Sequence, residues 1–167
     1  MERVTPTHDD ARPRAAVSAR LPIPAGAAWS LVSDVRNHAR WVPLTRVDAA
    51  PTLAVGDTFA AVSGPGARRG WPGLPDRMTV EHLSPPDTPT GTPGSATYRK
   101  LGPVLLGTAG VRVEPAGPTS CVLTWTEDVH LRGLPRRLTA PLLRPVLALM
   151  LRVVIRRLRA EVSAPGT

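Results

Sequence analysis

Two adjacent segments near the C-terminus indicate the fold, SCVLTWTEDVHL (120–131) and LPRRLTAPLLRPVLALMLRVVIRRLRAE (134–161). In the first segment side chains alternate between two faces, as they do in a β-strand. One face carries Cys121, Leu123, Trp125, Glu127 and Val129. Because this face is mostly apolar, we predict that it points into the protein and takes the Glu127 carboxylate with it.

The second segment predicts a long helix, since apolar residues recur at spacings of three and four. The helix begins either near Pro135, with a kink, or after Thr139 as its N-cap, and Pro145 should bend it. The longest uncharged run, 145–151, is shorter than the roughly 20 residues that a membrane span requires. The predicted inner arc consists of Leu142, Leu143, Val146, Leu147, Leu149, Met150, Val153 and Val154, and the arginines opposite are Arg137, Arg144, Arg152, Arg156 and Arg159.

Towards the N-terminus, short strand patterns separated by glycine- and proline-rich turns predict an antiparallel meander. A helix starting at Ala25 and a second short helical turn, closed by Pro43, follow the first strand. We therefore predict an α+β domain over residues 14–162, with flexible tails at 1–13 and 163–167. The strands are expected at 15–21, 45–49, 58–63, 77–83, 95–101, 107–114 and 120–131.

Composition excludes several classes of site. The chain has 167 residues and one cysteine, Cys121, so it cannot form an internal disulfide or a cysteine-based metal centre. It contains no glycine-rich phosphate loop, no HExxH motif and no nucleophile elbow, and we predict neither a metal site nor a cofactor. The first 14 residues lack the apolar core of a signal peptide, which predicts a cytoplasmic protein.

The net charge of +8 is concentrated at the C-terminus, where residues 132–167 hold eight arginines and one acidic residue. This distribution predicts one basic helix face. No nucleic-acid partner is expected, because exposed aromatic residues are not interleaved with these arginines. The oligomeric state is not indicated.

The order of motifs resembles the SRPBCC superfamily, which comprises polyketide cyclases/dehydrases and lipid-transport proteins. The segment IPAGAAWSLVSDVRNHARWVP (23–43) is similar to the opening of that superfamily, VGDTF (55–59) to its third-strand opening, and VEPAGPTSCVLTWTEDV (113–129) to its last hairpin. The resemblance implies a helix-grip fold, in which a curved antiparallel sheet of six or seven strands wraps a long C-terminal helix. It also implies a hydrophobic ligand cavity.

Three residues are candidates for catalysis. Glu127 is predicted either to transfer protons in the cavity, where burial would raise its pKa, or to form an ion pair at the rim with Arg99 or Arg157. Tyr98 is either a hydrogen-bond donor to a ligand carbonyl or a core aromatic residue. His82 shares the face of Met78 and Val80 in an alternating strand, which makes it a possible base, although an exposed position at the strand end is the simpler interpretation.

Candidate ligand contacts come from three parts of the chain. Trp71, in a glycine-rich loop, is a possible lid. Arg157 is predicted to extend its charge to solvent or to bind a ligand anion. Trp29 and Trp41 are interpreted as packing anchors, and His38 and His130 as surface groups. The other candidate ligand-binding residues are Met78, Val80, Leu123, Trp125, Leu147, Met150 and Val154.

These patterns support two functional hypotheses. A third, contact with a protein partner or the ribosome through the arginine face, is disfavoured because exposed aromatic residues are missing there. The first is a protein that binds a hydrophobic small molecule, and its catalytic form is a cyclase or dehydratase of polyketide-like, isoprenoid or aromatic intermediates. The second is a carrier or chaperone for a lipid or quinone, which touches an anionic membrane through the arginines together with Leu151 and Ile155. Liposome binding separates them.

Overall fold

The computed structural model describes residues 15–164 and contains seven strands and three α-helices. The predicted tail at 1–13 lies outside this range, as do residues 165–167. The elements in chain order are β1 (Ala15–Leu21), α1 (Ala25–Ser33), a 3-10 turn (Val35–Asn37), α2 (His38–Trp41), β2 (Thr45–Asp48), β3 (Thr58–Ser63), a 3-10 turn (Ala67–Arg69), β4 (Leu74–Ser84), β5 (Gly94–Pro103), β6 (Leu105–Pro115), β7 (Cys121–Leu131) and α3 (Arg136–Ser163).

The strands form one antiparallel sheet in the order β1-β7-β6-β5-β4-β3-β2. The meander from β2 to β7 places consecutive strands side by side, and β1 returns to pair with β7. The sheet is curved, and α3 lies in its concave face, where it packs mainly against β1 and β7. This is the predicted helix-grip architecture.

The predicted inward face of β7 is confirmed. Each odd-numbered residue from Cys121 to Val129 is buried, whereas the even-numbered residues are partly exposed. Leu123 and Trp125 belong to the main hydrophobic core, which also includes Leu158 of α3. The alternation is reliable here because β7 is an interior strand with one face covered by a helix.

The orientation predicted for α3 is wrong in part. Leu151 and Ile155 were placed with the arginines, but both are buried against the sheet. Conversely, Leu142, Val146 and Leu149 were placed inside and are 73%, 65% and 61% exposed. The apolar residues of α3 extend around more than half of the helix, so the sequence pattern alone does not determine which part faces the sheet.

The start of α3 agrees with the first of its two predicted alternatives, whereas its length and composition differ from the expectation drawn from the uncharged run 145–151. The helix starts directly after Pro135, so Thr139 lies in its second turn and is not the N-cap. By length and composition α3 could cross a bilayer, since an 18-residue window contains at most two charged residues. In this structure 28% of that window is buried, and α3 is the helix that the sheet encloses.

Candidate functional site

A cavity of about 140 Å³ lies between α3 and the concave face of the sheet. Strands β2 to β7 and residues of α2 and α3 all contribute to its wall. The wall is predominantly apolar, as in most small-molecule sites. Its polar side chains are His38, Thr45, Ser63, Asp76, Tyr98, Lys100 and Glu127.

Three charged side chains meet in this wall. The Nζ of Lys100 donates a hydrogen bond to Oδ2 of Asp76 at 2.5 Å, and it lies 3.4 Å from Oε2 of Glu127. The contact between Lys100 and Glu127 is an ion pair and not a hydrogen bond. Oε2 of Glu127 has no hydrogen-bond partner among residues 15–164. Lys100 and Glu127 are 6% and 7% exposed, and the Asp76 side chain is 15% exposed, so solvent reaches this charge cluster mainly at Asp76.

Strand register brings the cluster together. In the sheet, Tyr98 of β5 lies opposite Ala109 of β6, which in turn lies opposite Glu127 of β7. Lys100 is opposite Gly107. The distance from β5 to β7 is two strand spacings, roughly 9–10 Å, which the long lysine side chain can cross only if β6 carries small residues.

Gly107 is required for a second reason. Its φ is +130°, and a Cβ at this position would clash with the backbone carbonyl oxygen of Asp128 in β7. Any other residue would therefore strain the β6–β7 pairing. Gly107 and Ala109 together leave the concave face of β6 open beneath Lys100, Tyr98 and Glu127.

Burial and charge act in opposite directions in the cluster. Burial raises the pKa of Glu127, the Lys100 ammonium opposes this rise, and Asp76 adds to it. Burial by itself would lower the pKa of Lys100, but the carboxylates of Glu127 and Asp76 outweigh it and raise that pKa above its ordinary value. Lys100 is thus an ammonium at neutral pH, and the Glu127 carboxyl keeps its proton to a higher pH than an exposed glutamate does.

Tyr98 contributes a free hydroxyl to the same wall. Its ring packs edge-on against Phe59, with the ring centroids 5.4 Å apart, and its hydroxyl has no hydrogen-bond partner in the described part of the chain. Burial raises the pKa of Tyr98 to about 12, so the hydroxyl stays protonated and can donate. A buried donor without a partner is costly, and such groups are commonly explained by a missing ligand or water.

His38 was interpreted as a surface group, which is wrong. It is buried, its ring lies 4.7 Å from that of Trp125, and its Nε2 is 2.8 Å from the carbonyl oxygen of Val32. Burial lowers the pKa of His38 to about 4, so the ring is neutral at pH 7. The short helix α2 turns this side chain inward, and the sequence contains no periodic pattern long enough to reveal that orientation.

The structure brings together seven of the predicted site residues and separates five from the cavity. The cavity wall includes Glu127, Tyr98, Met78, Trp125, Leu147, Met150 and Val154. Val80 and Leu123 are buried in packed core beside it, and Arg157 donates a hydrogen bond to the carbonyl oxygen of Trp41. The remaining two predicted residues, Trp71 and His82, are exposed.

A β-bulge explains the position of His82. The pairing of β4 with β5 shifts between Val80 and His82, so Glu81 is an extra residue. One extra residue reverses the alternation, which turns His82 outward to contact the Ser95 hydroxyl at 3.0 Å. Trp71 is 61% exposed and lies over Gly66, where a Cβ would approach its ring to 2.7 Å.

The sequence analysis missed Lys100 and Asp76. Lys100 is the single lysine in a chain with 21 basic residues. It shares the inward face of β5 with Ala96 and Tyr98, because every second residue of the strand points inward. Asp76 has the same relation to Met78 and Val80 in β4. Glu127 was expected to pair with Arg99 or Arg157, whereas Arg99 pairs with Glu81 and the partner of Glu127 is Lys100.

Comparison with solved structures relates this fold to several proteins. A START superfamily protein from Mycobacterium smegmatis superposes with a TM-score of 0.65 at 13% identity, covering 89% of this chain and 96% of that one. The di-domain ARO/CYC BexL from the BE-7585A biosynthetic pathway gives 0.59 at 17% identity, and DynU16, described as a putative protein in the dynemicin biosynthetic locus, gives 0.56 at 19%. The chain covers 45% and 46% of these two proteins, and 88% and 89% of its own length is matched.

Sequence comparison is more specific about family. A search of curated proteins found no significant match. Residues 12–163 match the family model described as "Polyketide cyclase / dehydrase and lipid transport". With that match over most of its length and the helix-grip fold, the chain belongs to the polyketide cyclase/dehydrase and lipid transport family.

Proposed function

We propose that the protein binds a hydrophobic small molecule in the cavity and that Glu127 exchanges a proton with it, as in a polyketide-type cyclase or dehydratase. The observation that carries this proposal is the buried cluster of Lys100, Asp76 and Glu127 in an otherwise apolar wall. A largely apolar pocket with a few convergent polar groups and a perturbed carboxyl pKa is typical of active sites. Membership of the family supports the ligand class. A cytoplasmic location is part of the proposal.

Each polar residue has a distinct role in this chemistry. The raised pKa of Glu127 suits a group that takes a proton from a carbon next to a carbonyl and later returns it to a departing hydroxyl. The Tyr98 hydroxyl donates to the ligand carbonyl, and the Lys100 ammonium stabilises the negative charge that develops on that oxygen. The apolar wall would hold a flexible ligand in a folded conformation, which favours ring closure over other reactions.

Mass spectrometry under native conditions, applied to protein purified from its own host, would identify a retained ligand. With that ligand or its precursor, Glu127→Gln should still bind but react about 10²–10⁴-fold more slowly once saturated, because the amide cannot exchange a proton. The matched control is Glu114→Gln, which removes a carboxylate paired with Arg112 outside the cavity. Unchanged turnover in Glu127→Gln, with lower stability, would assign Glu127 a structural role and contradict the proposal.

A second candidate function is that of a lipid or quinone carrier that docks on an anionic membrane. The observation that favours it is an exposed apolar row on α3, formed by Leu138, Leu142, Val146 and Leu149. These residues follow one another at spacings of three and four along one face, and the exposed Arg152 and Arg156 continue that face towards the C-terminus. An apolar strip flanked by arginines is typical of helices that bind at the surface of anionic membranes.

Vesicle sedimentation tests this second function. Exchange of Arg152, Arg156 and Arg159 for glutamine should weaken binding to anionic vesicles by about 1 kcal/mol each, and salt should weaken binding of the parent protein. Leu142→Ser should also weaken binding, whereas Arg112→Gln on the sheet should not. A parent protein that does not sediment with anionic vesicles would exclude membrane docking and leave the cavity proposal intact.

A further inference from the structure

The acidic side chains of the cavity wall outnumber the positively charged ones. Two carboxylates, Asp76 and Glu127, face one ammonium, Lys100, so the fully ionised cluster carries one excess negative charge. Lys100 already contacts both carboxylates, and none of the arginines in the described residues lines the cavity. His38 adds no positive charge, since its neutral ring contacts the Val32 carbonyl oxygen.

The unpaired atoms show the same excess of acceptors. Oδ1 of Asp76, Oε2 of Glu127 and the hydroxyl of Tyr98 are buried without a hydrogen-bond partner within residues 15–164. Two of the three are carboxylate oxygens, which can only accept when ionised, and the hydroxyl can accept as well as donate. A ligand that satisfies the two carboxylate oxygens therefore has to supply donors, while the Tyr98 hydroxyl can still donate to a ligand carbonyl.

We propose that Asp76, Tyr98, Lys100 and Glu127 form a head-group subsite for an apolar ligand whose polar end is a protonated amine. An ammonium offers three N–H donors and balances the excess negative charge. A ligand carboxylate would instead bring a third negative charge into a buried site, with its potential partner Lys100 already shared. This inference rests on the proposed function, in that it requires a ligand in the cavity.

The cavity volume indicates which probes to use. A void of about 150 Å³ lined by apolar side chains is known to hold a single benzene ring, and this cavity measures about 140 Å³. Benzylamine, benzyl alcohol and benzoate share that ring and differ in the charge of the head group. Titration of each at pH 7, followed by the NMR signal of the Trp125 indole in the cavity wall, gives three comparable affinities.

We expect benzylamine to bind more tightly than benzyl alcohol, and at least about tenfold more tightly than benzoate. Glu127→Gln should reduce the preference for the amine over the alcohol, and Asp76→Asn provides an independent variant if the first does not fold. Glu114→Gln, which alters a carboxylate outside the cavity, should leave all three affinities unchanged.

The outcomes separate this inference from the function on which it rests. Binding of benzoate as tight as that of benzylamine, or a preference for the amine that survives both substitutions, would overturn the head-group assignment while leaving the cavity a ligand site. Failure of all three compounds to perturb Trp125 would overturn the cavity function, and the head-group assignment with it.

Discussion

The two ends of the space between α3 and the sheet are built differently. At one end, the last turns of α3 pack against β1 and β7, and Leu21, Leu123 and Leu158 are completely buried. At the other end, residues of strands β2 to β7 and of α3 enclose the cavity with its charge cluster. The first end consists of buried apolar side chains, as a stable core requires. The second leaves a void and unpaired polar atoms, features that natural proteins retain chiefly where they serve function.

His38 lies between these two ends. Its ring contacts Trp125, and its side chain lines the cavity, while neighbouring Trp41 is buried in the core and donates from Nε1 to Oε2 of Glu161 at 2.8 Å. The hydrogen bond from Trp41 connects α2 to the end of α3. The comparison therefore predicts that stability depends on the packed end, and ligand binding on the cavity end, with the charge cluster as the exception.

The charge cluster should give the largest effect. Replacing Lys100 by methionine leaves two buried carboxylates without a cation, and we expect a loss of about 3–5 kcal/mol in the free energy of unfolding at pH 7. The loss should diminish as pH falls, because the folded state of the variant gains protons more readily than its unfolded state. Chemical denaturation of the parent and of Lys100→Met at several pH values measures this loss and its pH dependence.

The double variant Lys100→Met with Glu127→Gln is the control for that experiment. It removes one of the two carboxylates that lack a cation and should recover part of the lost free energy of unfolding. A single variant as stable as the parent at pH 7 would contradict the buried cluster and remove the main difference between the two ends.

The next largest effect compares two leucines of α3. Leu158→Ala, at the packed end, should cost about 3–4 kcal/mol, since the truncation leaves a cavity in close-packed surroundings. Leu147→Ala enlarges a void that already exists and should cost less than about 2 kcal/mol, while changing ligand affinity. Urea denaturation of both variants measures the contrast, and equal losses would mean that the cavity end is as tightly packed as the core.

The smallest effect concerns His38. Because its folded pKa of about 4 lies below the unfolded value near 6.5, only the unfolded state gains a proton between these values. The contribution of His38 to the free energy of unfolding should therefore be constant above about pH 6.5 and decrease by at most about 3 kcal/mol towards pH 4. The difference between the parent and His38→Gln over this range isolates the contribution. A parallel pH dependence in both proteins would show that His38 is not buried as a neutral ring.

The sequence by itself determined the class of fold and much of the inward face. Alternation placed Trp125 and Glu127 together because β7 is a regular interior strand, and the strand boundaries at β1 and β3 coincide with the predicted ones. These features depend on local periodicity, which is directly visible in the residues.

Other features were decided by tertiary structure alone. A bulge of one residue turns His82 outward. The apolar surface of α3 is too broad to define its orientation, and only packing against the sheet determines that Leu151 and Leu158 are buried. The partnership of Lys100 with Asp76 and Glu127 joins three strands across positions 76, 100 and 127. No local pattern encodes it, because it depends on the register of four strands and on the small residues Gly107 and Ala109 that let the lysine reach across β6.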